Sequence, residues 1–243
     1  MKKSYEKNLR LQAARSKRSG YLHIPKTGGS GIGQLLNKLT QTIGAEKVPT
    51  KFNHPWTVEH ILQQFPEISI HVVIRDPVER MVSGFLSRMR MGRPRRNHIW
   101  NTPEAISFSF FSEPQQLLRA LVSDDERLKS AALFAYAGIP HLRWNYVYYF
   151  QSPDYVDRIE KNIGVVREID DTDAFLGEIC SVCNVEPAMA DKLYSKVHVS
   201  KVSPRSITSV MDEDEIARVK AALEPEYAIY RQLQAIARRQ SAA

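Results

Sequence analysis

Apolar residues in this chain fall into short runs whose spacing switches between the strand and helix periods. Tyr21 to Ile24 is a brief, mostly apolar run that stops at Pro25, as a buried strand would. After a glycine-rich stretch, Ile32, Leu35, Leu36, Leu39 and Ile43 recur at helical spacing, and Gly44 closes the pattern. Lys47 to Phe52 reads as a second extended piece. Thr57 then caps a short helix carrying Val58, Ile61, Leu62 and Phe65. Ile68 to Ile74 is rich in β-branched residues and ends at Arg75-Asp76-Pro77, with Pro77 suited to the first turn of a helix bearing Met81, Val82, Phe85 and Leu86.

The middle of the chain reads as helical. Thr102-Pro103-Glu104 is a helix start, Ser112 with Gln115 is a capping box, and a further helix runs from about Asp125 to Tyr136. Gly164 to Arg167 is a late strand, with a helix from Asp173. Asp212 with Glu215 opens another helix, which Pro225 restarts or kinks toward Arg239. Strands alternating with helices predict an α/β fold, a mainly parallel central sheet flanked by helices in three layers. In such sheets ligands bind at the carboxyl ends of strands, where both the glycine-rich and the Arg-Asp-Pro segments fall.

Composition narrows this picture. The 243 residues suit one α/β domain, taken as residues 20–243, behind a basic tail over residues 1–19. That tail carries seven basic residues against Glu6 and so holds nearly all of the net charge of +7. A second basic patch lies between residues 75 and 96, where seven arginines face Asp76 and Glu79. The tail reads as a solvated end, and no nucleic acid is expected as a partner. No apolar run approaches the roughly 20 residues that span a bilayer. With no secretory signal at the N-terminus either, the expected location is cytoplasmic. The only cysteines, Cys180 and Cys183, close a helical pattern, so core packing is expected of them rather than a disulfide framework or a metal site.

Two stretches carry the chemistry. In Pro25-Lys26-Thr27-Gly28-Gly29-Ser30-Gly31 the glycines let successive N–H groups turn inward ahead of a helix N-terminus, and Lys26 adds a full charge, which together make a phosphate site. The order differs from a Walker A loop, since the lysine precedes the glycines, and no acidic residue for magnesium is evident. In Val72 to Ser83, Arg75 leaves a buried strand and Ser83 follows on the next helix, a fork and a hydroxyl that can meet one phosphate. Arg75 could instead pair with Asp76 or Glu79.

Taken together, His23 to Leu36 and Val72 to Arg88 resemble the two nucleotide-binding signatures of the sulfotransferase superfamily, whose donor is 3′-phosphoadenosine 5′-phosphosulfate (PAPS). The wording from His23 to Ser30 is most similar to the carbohydrate branch, the heparan 2-O-sulfotransferase-like and related bacterial members. The resemblance implies a P-loop-like fold. It further implies that Lys26, Thr27, Gly28, Gly29 and Ser30 hold the 5′-phosphosulfate, that Arg75 and Ser83 hold the 3′-phosphate, and that no metal is needed. Gly31 departs from the pattern, standing where many relatives carry another hydroxyl residue.

The family's base is a His or Glu near the end of the strand after the first helix. His54 falls there, with Glu59 and His60 as alternatives, and an imidazole titrates in a range that suits the task. His54 and Lys26 are therefore the expected catalytic pair in an in-line sulfuryl transfer to a hydroxyl acceptor, which the resemblance makes a saccharide or glycoconjugate. Arg88, Arg90, Arg93, Arg95 and Arg96 could line a cleft for an anionic saccharide, Trp56, Trp100 and Trp144 could stack on its rings, and Lys201 and Arg205 could add late cationic contacts. Two other readings stay open: a nucleotide kinase or NTPase of related fold, and a non-catalytic polyanion binder working through the tail.

Overall fold

The computed structural model describes residues 18–94, 97–194, 204, 206 and 210–242 of the chain. The basic tail apart from residues 18 and 19 lies outside them, as do Arg95, Arg96, Lys201 and Arg205. The described residues of Met1–Ile74, Tyr149–Val199 and Arg231–Ala243 form one unit, and those of Arg75–Tyr148 and Ser200–Tyr230 form another.

The first unit is built on a sheet of four strands, β1 (Ser19–Leu22), β2 (Thr50–Phe52), β3 (Ser69–Ile74) and β4 (Ile163–Glu168), in the order β2-β1-β3-β4 and parallel throughout. Neighbours on one strand point to opposite faces, yet Tyr21, Leu22, Val72 and Val73 are all fully or almost fully buried, so both faces are covered. One face packs on α1 (Gly29–Ile43) and α10 (Thr172–Val182): Tyr21 and Val73 meet Ile32, Leu35 and Leu39 from α1 and Phe175, Ile179, Cys180 and Cys183 from α10 and its end. Both cysteines are free and buried in this core. The α/β class, with helices flanking a parallel sheet, is thus the observed one.

Short helices fill the rest of the unit. Thr57 caps α2 (Val58–Gln64) by accepting the His60 N–H. β3 and β4 are tied by His71, a buried strand residue whose Nδ1 accepts the Val165 N–H at 2.9 Å. Its other ring nitrogen must then carry the proton and donate to Ser19 Oγ at 2.8 Å. Burial pushes the pKa of His71 down to about 4, so the ring is neutral in the folded protein at ordinary pH.

The second unit is helical: α3 (Pro77–Met89), α4 (Thr102–Phe110), α5 (Pro114–Leu121), α6 (Glu126–Gly138), α7 (Pro140–Arg143), α12 (Glu213–Ala222) and the first residues of α13 (Glu224–Ala242). Asp76 caps α3 with Pro77 at its first position, Asn101 and Glu104 form a capping box on α4, and Asp212 and Glu215 one on α12. The start of α5 lies one residue beyond the expected Ser112–Gln115 box. Pro114 has no N–H and a fixed φ, so it occupies the first helical position and makes Glu113 the cap; Gln116, not Gln115, reaches back to the Ser112 and Glu113 N–H groups at 2.9 and 3.2 Å. The chain breaks between Ala222 and Glu224 beside Pro225, as expected.

The centre of this unit is polar. Arg80 is fully buried and its guanidinium donates to the carbonyls of His141 and Trp144 and to Glu226 Oε2 at 3.1 Å. Glu226, 2% exposed, also accepts from the Tyr136 hydroxyl and the Tyr146 N–H. Arg88 and Glu104 form a second buried pair, doubly hydrogen-bonded.

Replacing Glu226 with Ala strands the buried guanidinium of Arg80, and such losses cost about 3–5 kcal/mol; a correspondingly large drop in the denaturant midpoint is expected, with a much smaller one for Glu215→Ala, whose partner Arg119 is exposed. The depressed pKa of His71 means that the unfolded chain binds its proton first. Stability is therefore full above about pH 6.5 and declines as pH falls toward 4, and unfolding curves across that window should show a shallower decline in His71→Asn.

Candidate active site

Because β2, β1 and β3 are parallel neighbours, with Phe52 opposite Leu22 and Leu22 opposite Val72, the chain leaves all three strands at one edge of the sheet. From β1 it runs through His23, Ile24, Pro25, Lys26, Thr27 and Gly28 into α1. Lys26 and Gly28 both adopt the left-handed conformation, with φ of 71° and 80°, which curls the loop tightly. Thr27 is fully buried and its hydroxyl donates to the Ile24 carbonyl at 3.0 Å, so it braces the loop from within. Gly28 caps α1 without a side-chain hydrogen bond, and no acidic residue lies in the first turn. The Gly31 N–H donates to the Gly28 carbonyl at 3.1 Å, and no side chain of the first turn opposes the positive end of the helix. Ser30 is exposed in that turn.

Two glycines of α1, one turn apart, are the contact points for side chains from the sheet. A Cβ on Gly29 would lie 1.8 Å from the His23 ring, and one on Gly33 would lie 2.3 Å from the Lys51 ammonium and 3.0 Å from its last methylene. His23 and Lys51 therefore lie flat against the helix backbone where any other residue would expel them. The His23 ring in turn packs on the His54 ring, with centroids 4.4 Å apart.

His54 sits just past β2 and is fixed at both ends. Its carbonyl accepts from the Tyr149 hydroxyl at 3.0 Å, and its Nδ1 lies 2.9 Å from the His23 carbonyl. A carbonyl only accepts, so Nδ1 carries the proton and Nε2 is the basic nitrogen. Burial lowers the pKa of His54 to about 4, against the opposing pull of the His23 carbonyl, and the charges of Lys51 and Lys26 push it down further. The alternatives to His54 are exposed and engaged elsewhere: His60 on the Thr57 cap, Glu59 accepting from Gln151 at 2.9 Å. Sequence reasoning, which expects His23 to pack at its strand end, passed over Lys51. The signals were a lysine inside a strand between Thr50 and Phe52, and a glycine pair at helical spacing.

The second motif belongs to the helical unit. Arg75 follows β3 directly and its guanidinium holds Glu79 at 3.2 Å, the pairing that the sequence left open. Its backbone is clamped by the Tyr146 hydroxyl, which accepts from the Arg75 N–H at 2.7 Å and donates to its carbonyl at 2.6 Å. Asp76 caps α3 and accepts from the Tyr227 hydroxyl at 2.8 Å. Ser83 is half-buried on α3.

Among the expected acceptor contacts, Arg88 drops out, because its guanidinium is buried against Glu104. Trp56 is buried on Phe52 and presents no free face to a sugar, while half-buried Trp100 packs on Phe108 and donates to the Arg88 carbonyl at 2.8 Å. Trp144 is half-buried under the Arg143 guanidinium. Arg90 and Arg93 remain exposed, beside a cavity of about 310 Å³ that they line with Met89 and Met91. Among the described residues no helix is long and apolar enough to cross a membrane.

No curated protein and no solved structure matches this chain. The sequence model of the sulfotransferase family matches residues 14–162, more than half of the chain and a span that includes the lysine–glycine loop, the Arg75-Asp76-Pro77 segment and His54. The chain belongs to the sulfotransferase family and is an enzyme of sulfuryl transfer to a hydroxyl-bearing acceptor.

Proposed function

We propose that this enzyme draws its sulfuryl group from PAPS and delivers it to a carbohydrate hydroxyl, with His54 as the base. The observation that carries this reading is the pairing of a left-handed lysine–glycine loop with an imidazole whose basic nitrogen is fixed as Nε2. The loop fits a phosphosulfate: α1 starts without side-chain cap or acidic residue, and Gly28 supplies the left-handed turn ahead of it at φ 80°. Bound PAPS would supply an activated sulfuryl group on a phosphate leaving group.

His54 Nε2 takes the proton from the acceptor hydroxyl as the acceptor oxygen bonds to sulfur. Lys26 and the first-turn N–H groups neutralise the charge that gathers on the phosphate oxygen when its bond to sulfur breaks, the preorganised stabilisation that usually dominates such sites. Gly28, Gly29 and Ser30 contribute backbone and hydroxyl contacts, with Thr27 bracing the loop. Arg75 and Ser83 hold the 3′-phosphate, Arg75 exchanging its Glu79 contact for the stronger anion. Exposed Arg90 and Arg93 favour an acceptor that carries negative charge.

Adenosine 3′,5′-bisphosphate should raise the melting temperature more than ATP does, and the shift should vanish in Lys26→Ala and Arg75→Ala. His54→Ala should keep the shift and lose about 10²–10⁴-fold in transfer rate. A magnesium-dependent shift with ATP and none with the bisphosphate would instead favour a nucleotide kinase or NTPase.

A further inference from the structure

One hydroxyl holds the backbone of Arg75 on both sides of its Cα. The Tyr146 phenol accepts the Arg75 N–H at 2.7 Å and donates to the Arg75 carbonyl at 2.6 Å. A hydroxyl has a single proton to give, so the donor capacity of Tyr146 goes wholly to this residue. Tyr146 is itself fixed along its length. Its N–H donates to Glu226 Oε2 at 3.3 Å, its ring stacks on Tyr230 with centroids 5.9 Å apart, and the Arg80 guanidinium lies 5.7 Å from the ring centroid. The residue is fully buried, and burial raises the pKa of the phenol, so the hydroxyl keeps its proton. Asp76, the next residue after Arg75, accepts from a second phenol, that of Tyr227, the sequence neighbour of Glu226.

We propose that Tyr146 is a positioning residue for the donor: by holding the Arg75 backbone, its hydroxyl aims the Arg75 guanidinium at the 3′-phosphate and so sets the preference for a nucleotide that carries one. Fixing the N–H and the carbonyl of one residue fixes the direction in which its side chain leaves the chain. The planar guanidinium fork grips a phosphate in a narrow range of geometry, so that direction decides the strength of the grip. With the backbone held, exchanging the Glu79 contact at 3.2 Å for a phosphate takes rotation of the side chain alone. This inference rests on the reading of Arg75 as the ligand of the 3′-phosphate.

The test compares the binding of adenosine 3′,5′-bisphosphate with that of adenosine 5′-monophosphate, which lacks the 3′-phosphate, in the full-length protein. Tyr146→Phe keeps the ring and its packing; it should weaken the bisphosphate about tenfold, on the scale of one net hydrogen bond, and leave the monophosphate unchanged. Tyr136→Phe removes another hydroxyl of the same buried cluster, one bonded to Glu226 and Asn145. It should lower the melting temperature by a similar amount without altering the preference between the two nucleotides. In an Arg75→Ala background, Tyr146→Phe should weaken the bisphosphate no further, as for two residues that act as one unit. A Tyr146→Phe protein that weakens both nucleotides equally, or neither, overturns the proposal, and so does a loss that is as large without Arg75 as with it. Should Arg75→Ala alone leave the preference for the bisphosphate intact, the reading of Arg75 fails and takes the proposal with it, an outcome that is decided without touching Tyr146.

Discussion

Two missing Cβ atoms govern the candidate site. Gly29 and Gly33 stand one turn apart on α1, and the space that each leaves is taken by a side chain from the sheet, His23 in one and Lys51 in the other. A Cβ at either position would collide with a ring or an ammonium well inside van der Waals contact, so a residue other than glycine would have to displace the His23 ring or the end of the Lys51 side chain. Beside them the His23 ring packs on the His54 ring, and the His23 carbonyl lies at the His54 Nδ1. The tautomer of His54 is thus set by a backbone carbonyl rather than by a dedicated hydrogen-bonding side chain.

The cations of the two units are handled in contrasting ways. In the helical unit Arg80 and Arg88 are desolvated, each matched to a buried carboxylate, and such pairs organise a core rather than greet a ligand. Arg75 is in an intermediate condition, its guanidinium on Glu79 at the margin of solvent while Tyr146 fixes its backbone. In the sheet unit Lys26 and Lys51 both bear on a histidine and both raise the cost of protonating it. A loop with left-handed residues, a helix start without a side-chain cap and two ammonium groups concentrate positive charge beside His54.

Local rules set much of the architecture. The period of the apolar residues foretold strand, glycine-rich turn and helix around residues 19–43, the cap at Thr57, the proline-led start at Pro77 and the break at Pro225, because those features depend on neighbours within a few positions. The start of α5 slipped by one residue because proline geometry outranked the Ser–Gln pattern. The lysine–glycine loop and His54 were legible for the same reason: a tight turn and a polar residue at a strand end announce themselves in one dimension.

What the linear order withheld was partnership. That Arg88 belongs to Glu104, that Trp56 and Trp100 are packing residues, and that Lys51 lies on Gly33 depend on contacts between segments far apart in the chain, which no local spacing encodes. The amino-acid order by itself determined the alternation of elements and the lysine–glycine loop ahead of α1, and singled out His54 as a candidate, since backbone sterics and side-chain chemistry act at short range. Tertiary structure alone decided the strand order β2-β1-β3-β4, the tautomer of His54 and which cations are spent on the core, because burial and long-range pairing exist only once the chain has closed on itself.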